Sequence, residues 1–533
     1  MGDERAAAPL WSWCAALAFA LLAFALHGHF GLTWDEGVQA EYGELALAYY
    51  SSGFQDVRYL DFLDLRHYGA LFEALSAMTY DAESFGKFAR RHLLTAVFAS
   101  LAIPALAGFC RGTGVRGFGA LAALALFVQP RFFGHAFGNS KDIPFAVAVV
   151  WFLWAATVLW AALVRGRAGG REVLACGAAA GLALALRPGG LLVVGALFVM
   201  VAALAVWFAD DALSQLRQRS TLGAVFAVSV IAWLVLVASW PLAHRSPLLE
   251  PVRAVTRSTQ FEGVYAVRFG GEVLPSNEVP ATYLLHWLLV VTPLPVLALA
   301  LLGLGRLAKR LFNDRSRKPE LLVPTAASLW LLLPLGAFVV LRPNVYDGLR
   351  HFLFVLPAVA VLAAYGGVGL QRLLERQVPR VSWLAVVALL LMPVGSLLAL
   401  HPYQYVYFNS AVGGVAGASG RYDTDYWAAS YGEALDWVAR RVENAPAGRQ
   451  WVTVLDSTSY LSPLARHYRR PHHVVLTADQ YADVRDRLPV VDFWIVGNRA
   501  GWGTLFPEAD SLHVVERQGA VLASVLRPTG AKP

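Results

Sequence analysis

Apolar stretches of about 20 residues recur along most of this chain, and they limit its fold more than any other feature of the sequence. A membrane-crossing helix needs about 20 mostly apolar residues. Only 15% of the 533 residues are charged, whereas soluble proteins have roughly a quarter. The sequence therefore predicts a polytopic α-helical membrane protein with about eleven spans, near residues 10–30, 91–110, 116–134, 143–164, 172–187, 190–208, 221–240, 282–303, 320–341, 351–370 and 382–400.

The charge pattern argues against a soluble nucleic-acid-binding protein. The formal net charge is +7, but the basic residues are dispersed between apolar runs instead of being clustered on one soluble face. The three cysteines, Cys14, Cys110 and Cys176, lie in or beside apolar segments and have no zinc-type spacing. We therefore expect no nucleic-acid partner, no disulfide framework and no structural zinc.

Short basic loops predict the orientation in the membrane, because Lys and Arg next to spans are retained in the cytoplasm. The first apolar run leads into a polar loop without an A-x-A-like cleavage site, so we expect a retained first span and a cytoplasmic N-terminus. Residues 31–90, 135–142, 241–281 and 342–350, and everything after residue 400, then face the outside of a plasma (inner) membrane. The cytoplasmic loops carry Arg111, Arg116, Arg165, Arg167, Arg171, Arg217, Arg219, Arg306, Lys309, Arg310, Arg315, Arg317, Lys318, Arg372, Arg376 and Arg380.

The character of the chain changes at about residue 400, where the hydropathy falls. We expect residues 1–400 to form the transmembrane domain, with residues 31–90 as its first outer loop. Residues 401–533 are expected to form a small C-terminal α/β domain on the outer face. Its predicted elements are a helix from Tyr426 to Val442, a strand from Trp451 to Leu455, a helix from Ser459 to Tyr468, strands from Val474 to Thr477 and Phe493 to Val496, and a hairpin across residues 512–526.

Acidic residues open two of the predicted outer loops. Asp35 and Glu36 directly follow the first span, and Asp142 stands beside Lys141 at the end of a later one. Carboxylates at a membrane boundary are unfavourable unless they act as base, metal ligand or helix cap. Capping by Asp35 or Asp142 is the purely structural alternative. Because separate loops bring these acids to the same boundary, we expect them to converge on one site.

A third outer turn is rich in cations and lies between two late spans. It contains Arg342, Tyr346, Asp347, Arg350 and His351. Arg binds phosphate through two parallel hydrogen bonds, so the turn favours an anionic ligand. The alternative is that Arg350 extends to lipid head groups. Arg187 is a second candidate cation, and the short spans on either side of it predict a tight hairpin or a broken helix.

Four segments together resemble a known family. They occur in the same order on one predicted membrane face and are similar to those of bacterial relatives of glycosyltransferase family 39, which are GT-C transferases akin to protein O-mannosyltransferases and lipid A aminoarabinose transferases. The resemblance covers about residues 10–440 and departs from the family at Ala428-Ala429, where glycine is expected. The segments are Trp34-Asp35-Glu36, Asn139-x-Lys141-Asp142-x-Pro144, Tyr346-Asp347-Gly348-x-Arg350-His351-Phe352, and Tyr407-Phe408-Asn409-x-x-x-Gly413-Gly414 followed by Asp425-Tyr426-Trp427.

The resemblance implies a membrane enzyme that takes a sugar from a polyprenyl-phosphate donor and passes it, with inversion, to a lipid, glycan or protein acceptor on the outer face. It implies that Asp35 is the general base or an acceptor-positioning carboxylate, with Glu36 beside it and Asp142 as the acid of the second loop. The chemistry independently requires a carboxylate for the acceptor proton, cations for the departing phosphate and an apolar groove for the prenyl tail.

No cofactor is certain, although Mg²⁺ or Mn²⁺ bound by Asp35 and Asp142 is an open alternative. The candidate site residues are catalytic Asp35, Glu36 and Asp142, donor-phosphate-binding Arg350, His351, Arg187 and Lys141, and substrate-binding Tyr346 and Asp347.

Two other functional classes remain as alternatives. In a transporter or flippase for a lipid-linked or polar solute, intramembrane acids would bind the solute or couple to protons. The acids here are expected at span ends on one face, whereas alternating access favours charges near the midplane. A non-catalytic scaffold is the third interpretation.

Overall fold

The computed structural model describes residues 7–529, apart from residues 188–189, 209–218, 260–262, 314–317, 445–448, 488–489, 501–504 and 507. Several sequence predictions fall outside these described residues. They are the tip of the Arg187 hairpin, at Pro188 and Gly189, and the basic-loop residues Arg217, Arg315 and Arg317.

Long apolar helices dominate the first 400 residues, and the chain is a polytopic α-helical membrane protein. Within the described residues, seven helical segments are long and apolar enough to cross a membrane, or up to nine if two bent pairs each count as one span. The number of spans, predicted as eleven, is not confirmed. The seven segments are Leu10–His29, Lys87–Thr113, Asp142–Val164, Ser220–Ser239, Pro319–Leu341, Arg350–Glu375 and Ser382–Ala399.

The remaining predicted spans are also helical but are bent or short. Phe118–Phe127 and Pro130–Gly138 meet at 69°, and Tyr283–Val291 and Leu294–Asn313 meet at 119°. A proline stands at each break, Pro130 in the first pair and Pro293 in the second, and proline removes a backbone donor and prevents a straight continuation. The two other predicted windows form helices of 17 residues each, Gly170–Leu186 and Leu191–Trp207.

Shorter helices complete the structure around these spans. Glu36–Ser51 is a helix in the first polar loop, and Tyr431–Glu443 packs on the C-terminal sheet. The other short helices are Leu71–Ala77, Pro241–Arg245, Leu249–Thr259, Gly414–Ala418, Ser462–Tyr468 and Ala478–Val484.

Two glycines let a pair of membrane helices approach closely. Gly303 lies on Leu294–Asn313, and Gly366 lies on Leu356–Glu375. A Cβ atom on Gly366 would lie 1.9 Å from the carbonyl oxygen of Leu299, and one on Gly303 would lie 2.2 Å from that of Leu362. Small residues at such crossings bring the two backbones into van der Waals contact, which stabilises helix pairs in lipid.

A five-stranded sheet follows the membrane helices. Its strand order is β4-β3-β5-β7-β6, in which β3 is parallel to β4 and β5, and β7 is antiparallel to β5 and β6. A separate hairpin, β1–β2, occurs in the sequence between the helices Leu249–Thr259 and Tyr283–Val291. The strands are β1 Ala266–Phe269, β2 Glu272–Pro275, β3 Trp451–Leu455, β4 His473–Thr477, β5 Phe493–Gly497, β6 Ala509–Arg517 and β7 Ala520–Pro528.

The helix predicted to start at Tyr426 begins five residues later, at Tyr431. Asp425 causes the delay, because its carboxylate accepts backbone hydrogen bonds from Ala429 at 3.2 Å and Ser430 at 3.1 Å. Ala428 adopts a positive φ of 56°, the left-handed region that favours glycine. The family resemblance anticipated glycine at this point of the chain.

Candidate active site

The buried guanidinium of Arg350 lies at the centre of a group of carboxylates from separate parts of the chain. Its Nη1 atom is 2.8 Å from Oδ2 of Asp35 and 3.1 Å from Oδ2 of Asp347. Its Nε atom is 4.0 Å from Oδ2 of Asp142. Arg350 therefore does not extend to lipid head groups. The predicted convergence of Asp35 and Asp142 is seen in the structure, with Asp347 as a third member.

Asp35 and Asp142 each lie at the start of a helix, but neither side chain caps that helix. Asp35 precedes the helix Glu36–Ser51, and its side chain makes no capping hydrogen bond. Asp142 opens the helix Asp142–Val164, yet the backbone N–H of Asp142 is capped by Oδ1 of Asn139 at 2.8 Å. The capping alternative is therefore wrong for both aspartates, and their carboxylates are available for other contacts.

Arg187 and Lys141 add two cations to this site. Arg187 directly follows the helix Gly170–Leu186, and its Nη2 atom forms an ion pair with Oδ1 of Asp142. Lys141 lies with Nζ 4.8 Å from the ring centroid of Tyr68 and, among the described residues, has no ion pair with a carboxylate. Burial lowers the pKa of Lys141, and the nearby carboxylates of Asp35 and Glu73 oppose that shift.

Arg499 completes the site from the C-terminal sheet and was missed by the sequence analysis. It follows the carboxyl end of β5, and its Nη1 atom lies 2.9 Å from Oδ1 of Asp347. Burial raises the pKa of Asp347, whereas the guanidinium groups of Arg499 and Arg350 favour its ionised form. One signal was present in the sequence, because ligand-binding residues often follow the carboxyl ends of parallel strands.

Aromatic rings surround the guanidinium groups. Arg350 lies over the rings of Tyr346 and Trp427, each at 5.2 Å from the centroid. Arg499 lies over Trp34 at 4.6 Å. Nε2 of His351 is 3.2 Å from Nη2 of Arg350, so this ring nitrogen accepts a hydrogen bond from the guanidinium. The predicted residues Tyr346 and His351 thus contact the central arginine directly.

Glu36 lies in a different polar cluster from Asp35. Its Oε1 atom is 2.8 Å from Nε2 of His92, and its Oε2 atom accepts the backbone N–H of Thr33 at 2.8 Å. All of these contacts are buried. The structure therefore does not bring Glu36 to Arg350, although the sequence grouped it with the catalytic acids.

Charge balance around Arg350 leaves an excess of positive charge. The described carboxylates within 4.0 Å of Arg350 are those of Asp35, Asp142 and Asp347, and each is in an ion pair with an arginine. Glu73, which lies near Lys141, is paired with Arg91 and does not change the balance. Arg350, Arg187, Arg499 and Lys141 supply the cations. In addition, the Nε atoms of Arg350 and Arg187 are buried and have no hydrogen-bond acceptor among the described residues. An anion would complete this arrangement.

A divalent cation does not fit this set of side chains. Asp35 and Asp142 already have guanidinium partners, and a metal would add positive charge to a group that has an excess of it. Within the described parts of the chain, no group of three or more His, Cys, Asp or Glu side chains could bind a metal ion.

Comparison with known proteins supports a GT-C fold. No family model and no curated protein matches the chain. The structure is similar to that of ArnT from Cupriavidus metallidurans bound to undecaprenyl phosphate, with a TM-score of 0.50 and 14% identity, over 97% of this chain and 98% of that chain. It is also similar to archaeal oligosaccharyltransferase AglB from Archaeoglobus fulgidus in complex with an inhibitory peptide and a dolichol-phosphate, with a TM-score of 0.46 and 14% identity, over 91% of this chain and 69% of that chain. The match to ArnT extends along nearly all of both chains, so the expected GT-C fold is confirmed.

Proposed function

We propose that this protein is a membrane glycosyltransferase that moves a sugar from a polyprenyl-phosphate donor to an acceptor on the outer face of the membrane. The observation that carries the proposal is the pair of buried arginine Nε–H groups, on Arg350 and Arg187, that have no acceptor among the described residues. They flank Asp142 at the ends of apolar helices. The shared fold with ArnT, which was crystallised with undecaprenyl phosphate, supports the choice of anion.

Arg350, Arg187 and Lys141 bind the donor phosphate in this proposal. The intact donor is a phosphodiester, and the departing group gains negative charge as the sugar leaves, so cations fixed in place stabilise the transition state more than the ground state. Lys141 contributes most readily because it has no ion pair with a carboxylate among the described residues. In this proposal, the prenyl tail of the donor packs against the apolar surface of the surrounding helices.

Asp35 is the general base. Its side chain is 29% exposed, compared with 5% for Asp142 and 2% for Asp347, so Asp35 is the carboxylate that an acceptor hydroxyl reaches from the aqueous side. When the donor phosphate binds Arg350, it competes with Asp35 for the guanidinium and leaves this carboxylate available to accept a proton. Asp142 and Asp347 remain in their ion pairs and orient Arg187 and Arg350.

The proposed reaction proceeds in one displacement with inversion. The acceptor oxygen forms a bond to the anomeric carbon as the bond from that carbon to the phosphate oxygen breaks. The electron pair of the broken bond leaves with polyprenyl phosphate, and the acceptor proton moves to Asp35. Glu36 has no substrate contact in this scheme, because its carboxylate is buried against His92.

The proposed location follows from the basic loops. We place the protein in the plasma (inner) membrane, with its N-terminus in the cytoplasm and the C-terminal sheet outside. The acceptor is a lipid, glycan or protein that reaches Asp35 from that outer side.

Binding of undecaprenyl phosphate to the purified full-length protein in lipid nanodiscs tests this proposal. We expect saturable binding that Arg350→Ala abolishes and that Arg350→Lys weakens, because an ammonium retains the charge but loses the planar pair of donors. Arg376→Ala is the matched control, since Arg376 is exposed at the other end of the same span. Absence of binding by the wild-type protein would refute the proposed donor.

The transferase reaction is tested separately in cells. Mass spectrometry should find a surface lipid, glycan or protein that loses a sugar when this protein is absent and regains it with the wild-type chain but not with Asp35→Asn. Movement of a lipid-linked sugar across the membrane with no glycosidic bond formed would instead identify a flippase.

A further inference from the structure

A buried chain of hydrogen-bonded side chains runs from Asp142 through Asn139 and His135 to Tyr426, in the segment that follows the membrane helices. We call this chain of four residues the ladder. We propose that His135 is a positioning residue which, through Asn139, holds Asp142 away from Arg350 so that Arg350 can bind the donor phosphate. This inference rests on the proposed function for its ligand. His135 and Asn139 are one helical turn apart at the end of the helix Pro130–Gly138.

The orientation of Asn139 is fixed by the backbone. Its Oδ1 atom accepts the N–H groups of Asp142 at 2.8 Å and Lys141 at 3.3 Å. Its Nδ2 atom must therefore be the nitrogen that faces Oδ2 of Asp142, at 2.9 Å, and Nδ1 of His135, at 3.1 Å. Asn139 donates one hydrogen to each of these groups.

The tautomer of His135 follows from that orientation. Because Nδ1 accepts a hydrogen bond from Asn139, the ring is neutral and carries its hydrogen on Nε2. Nε2 then donates to the hydroxyl oxygen of Tyr426 at 3.0 Å. An amide group between the histidine and Asp142 does not relay protons, so the ladder orients groups and is not a proton path.

At the end of the ladder away from Asp142, His135 and Tyr426 are packed among other buried side chains. The ring of Trp427 lies edge-on to His135, with 4.8 Å between the centroids, and the carbonyl oxygen of Trp427 accepts the N–H of Trp34 at 3.1 Å. Tyr426 and Trp427 are both buried. Movement of His135 would therefore disturb several packed rings, and this packing resists it.

The ladder separates two groups of opposite charge. Oδ2 of Asp142 is bonded to Asn139 and remains 4.0 Å from Nε of Arg350, beyond hydrogen-bonding distance, and that Nε–H has no acceptor among the described residues. Without Asn139, Oδ2 would be free to move by about 1 Å and bond to Arg350. Asp142 would then compete with the donor phosphate for the same N–H group.

Binding of undecaprenyl phosphate by the full-length protein in nanodiscs tests the ladder. His135→Gln removes the acceptor from the Nδ1 position, and we expect affinity to fall about tenfold, the effect of one hydrogen bond to a charged group. His135→Asn places an amide near the Nδ1 position and should retain affinity within about threefold. Phe133→Leu is the control, because Phe133 is buried on the same helix and packs against Phe19 and Phe137.

A double variant distinguishes positioning from loss of structure. If His135 acts by restraining Asp142, Asp142→Asn should remove the competing charge, and His135→Gln should then have no further effect on affinity. A tenfold loss that persists in the Asp142→Asn background would overturn the inference, as would equal losses in Phe133→Leu and His135→Gln.

Failure of the proposed function would give a different result. If the wild-type protein does not bind undecaprenyl phosphate, the donor assignment fails while the ladder is still tested by thermal unfolding. His135→Gln and Asn139→Ala should then be strongly non-additive in unfolding temperature, because both interrupt one chain of hydrogen bonds. Additive effects would show that the two residues are independent and would refute the ladder.

Discussion

At the residue scale, the three aspartates around Arg350 have the same charge but different surroundings. Asp142 and Asp347 are buried and each contacts or approaches two arginines, whereas Asp35 is partly exposed and contacts one. A carboxylate that is buried between two arginines is out of reach of an acceptor hydroxyl that approaches from solvent. Accessibility and the number of arginine partners therefore both favour Asp35 as the proposed base.

We expect Asp35→Asn to lower the rate of sugar transfer by about 10²–10⁴-fold, the usual contribution of a general base. The same change should leave the affinity for undecaprenyl phosphate unchanged or increase it, because Arg350 loses a competing partner. Transfer is measured with membranes and labelled donor. Glu41→Gln, an exposed change on the same helix, serves as the control. Tenfold loss or less, with normal expression, would show that Asp35 is not the base.

Sequence patterns predicted most of the members of this site but not all of its contacts. Asp35, Asp142 and Arg350 were identified because charge at the end of an apolar span requires a reason. Arg499 was missed because it lies in a loop of a soluble sheet, where charge is ordinary. Glu36 was grouped with Asp35 by adjacency alone, and consecutive residues at a helix start point in different directions.

At the element scale, local patterns located helices and strands well but did not reveal bends. The strand Trp451–Leu455 has the predicted bounds, and β4, β5 and the β6–β7 hairpin lie within a few residues of the predicted positions. The angles of 69° and 119° within two apolar windows could not be read from hydropathy. They depend on how each proline break packs against neighbouring helices, which is a long-range property.

The close crossing of two membrane helices predicts a sensitive position. Gly366→Ala should destabilise the protein by about 1–3 kcal/mol, because the new methyl group would overlap the backbone oxygen of Leu299 and separate the helices. Gly305→Ala is a suitable control, since a Cβ atom there meets nothing within 4 Å. Thermal unfolding in detergent measures both variants, and equal unfolding temperatures would contradict the predicted overlap.

The C-terminal sheet should lose stability in acid through His473. Burial lowers the pKa of His473 to about 4, and its Nε2 atom lies 2.8 Å from the hydroxyl of Thr453 on the neighbouring strand. The folded state therefore favours the neutral ring, so stability present above pH 6.5 is lost as the pH falls towards 4, by at most about 3 kcal/mol. Hydrogen exchange of the β3 and β4 amides, corrected for intrinsic rates, should show this loss in the wild type.

The matched variant for this effect is His473→Gln, which retains a polar group beside Thr453 but does not titrate. We expect its β3 and β4 amides to vary less with pH between 6.5 and 4. The same pH dependence in both proteins would mean that another group is responsible.

At the scale of the whole molecule, the basic loops and the position of the acids predict one outer side that carries both the proposed base and the C-terminal sheet. Cysteine substitution at Ser51 and Ser459, two exposed residues, tests this orientation. Both should react in intact cells with a thiol reagent that does not cross membranes. Cys14, which is exposed, is first replaced by serine, whereas Cys110 and Cys176 are buried. Protection of either position would refute the orientation.

Arg499 links the C-terminal sheet to the candidate site at the membrane helices. It donates to Asp347, which in turn contacts Arg350, so a residue after β5 helps to orient the central guanidinium among the membrane helices. A chimera that takes its C-terminal sheet from a distant homologue would therefore need an arginine at the same place. For the same reason, a substitution of Arg499 in the C-terminal sheet should disturb Arg350 at the membrane helices, although the two arginines communicate only through Asp347.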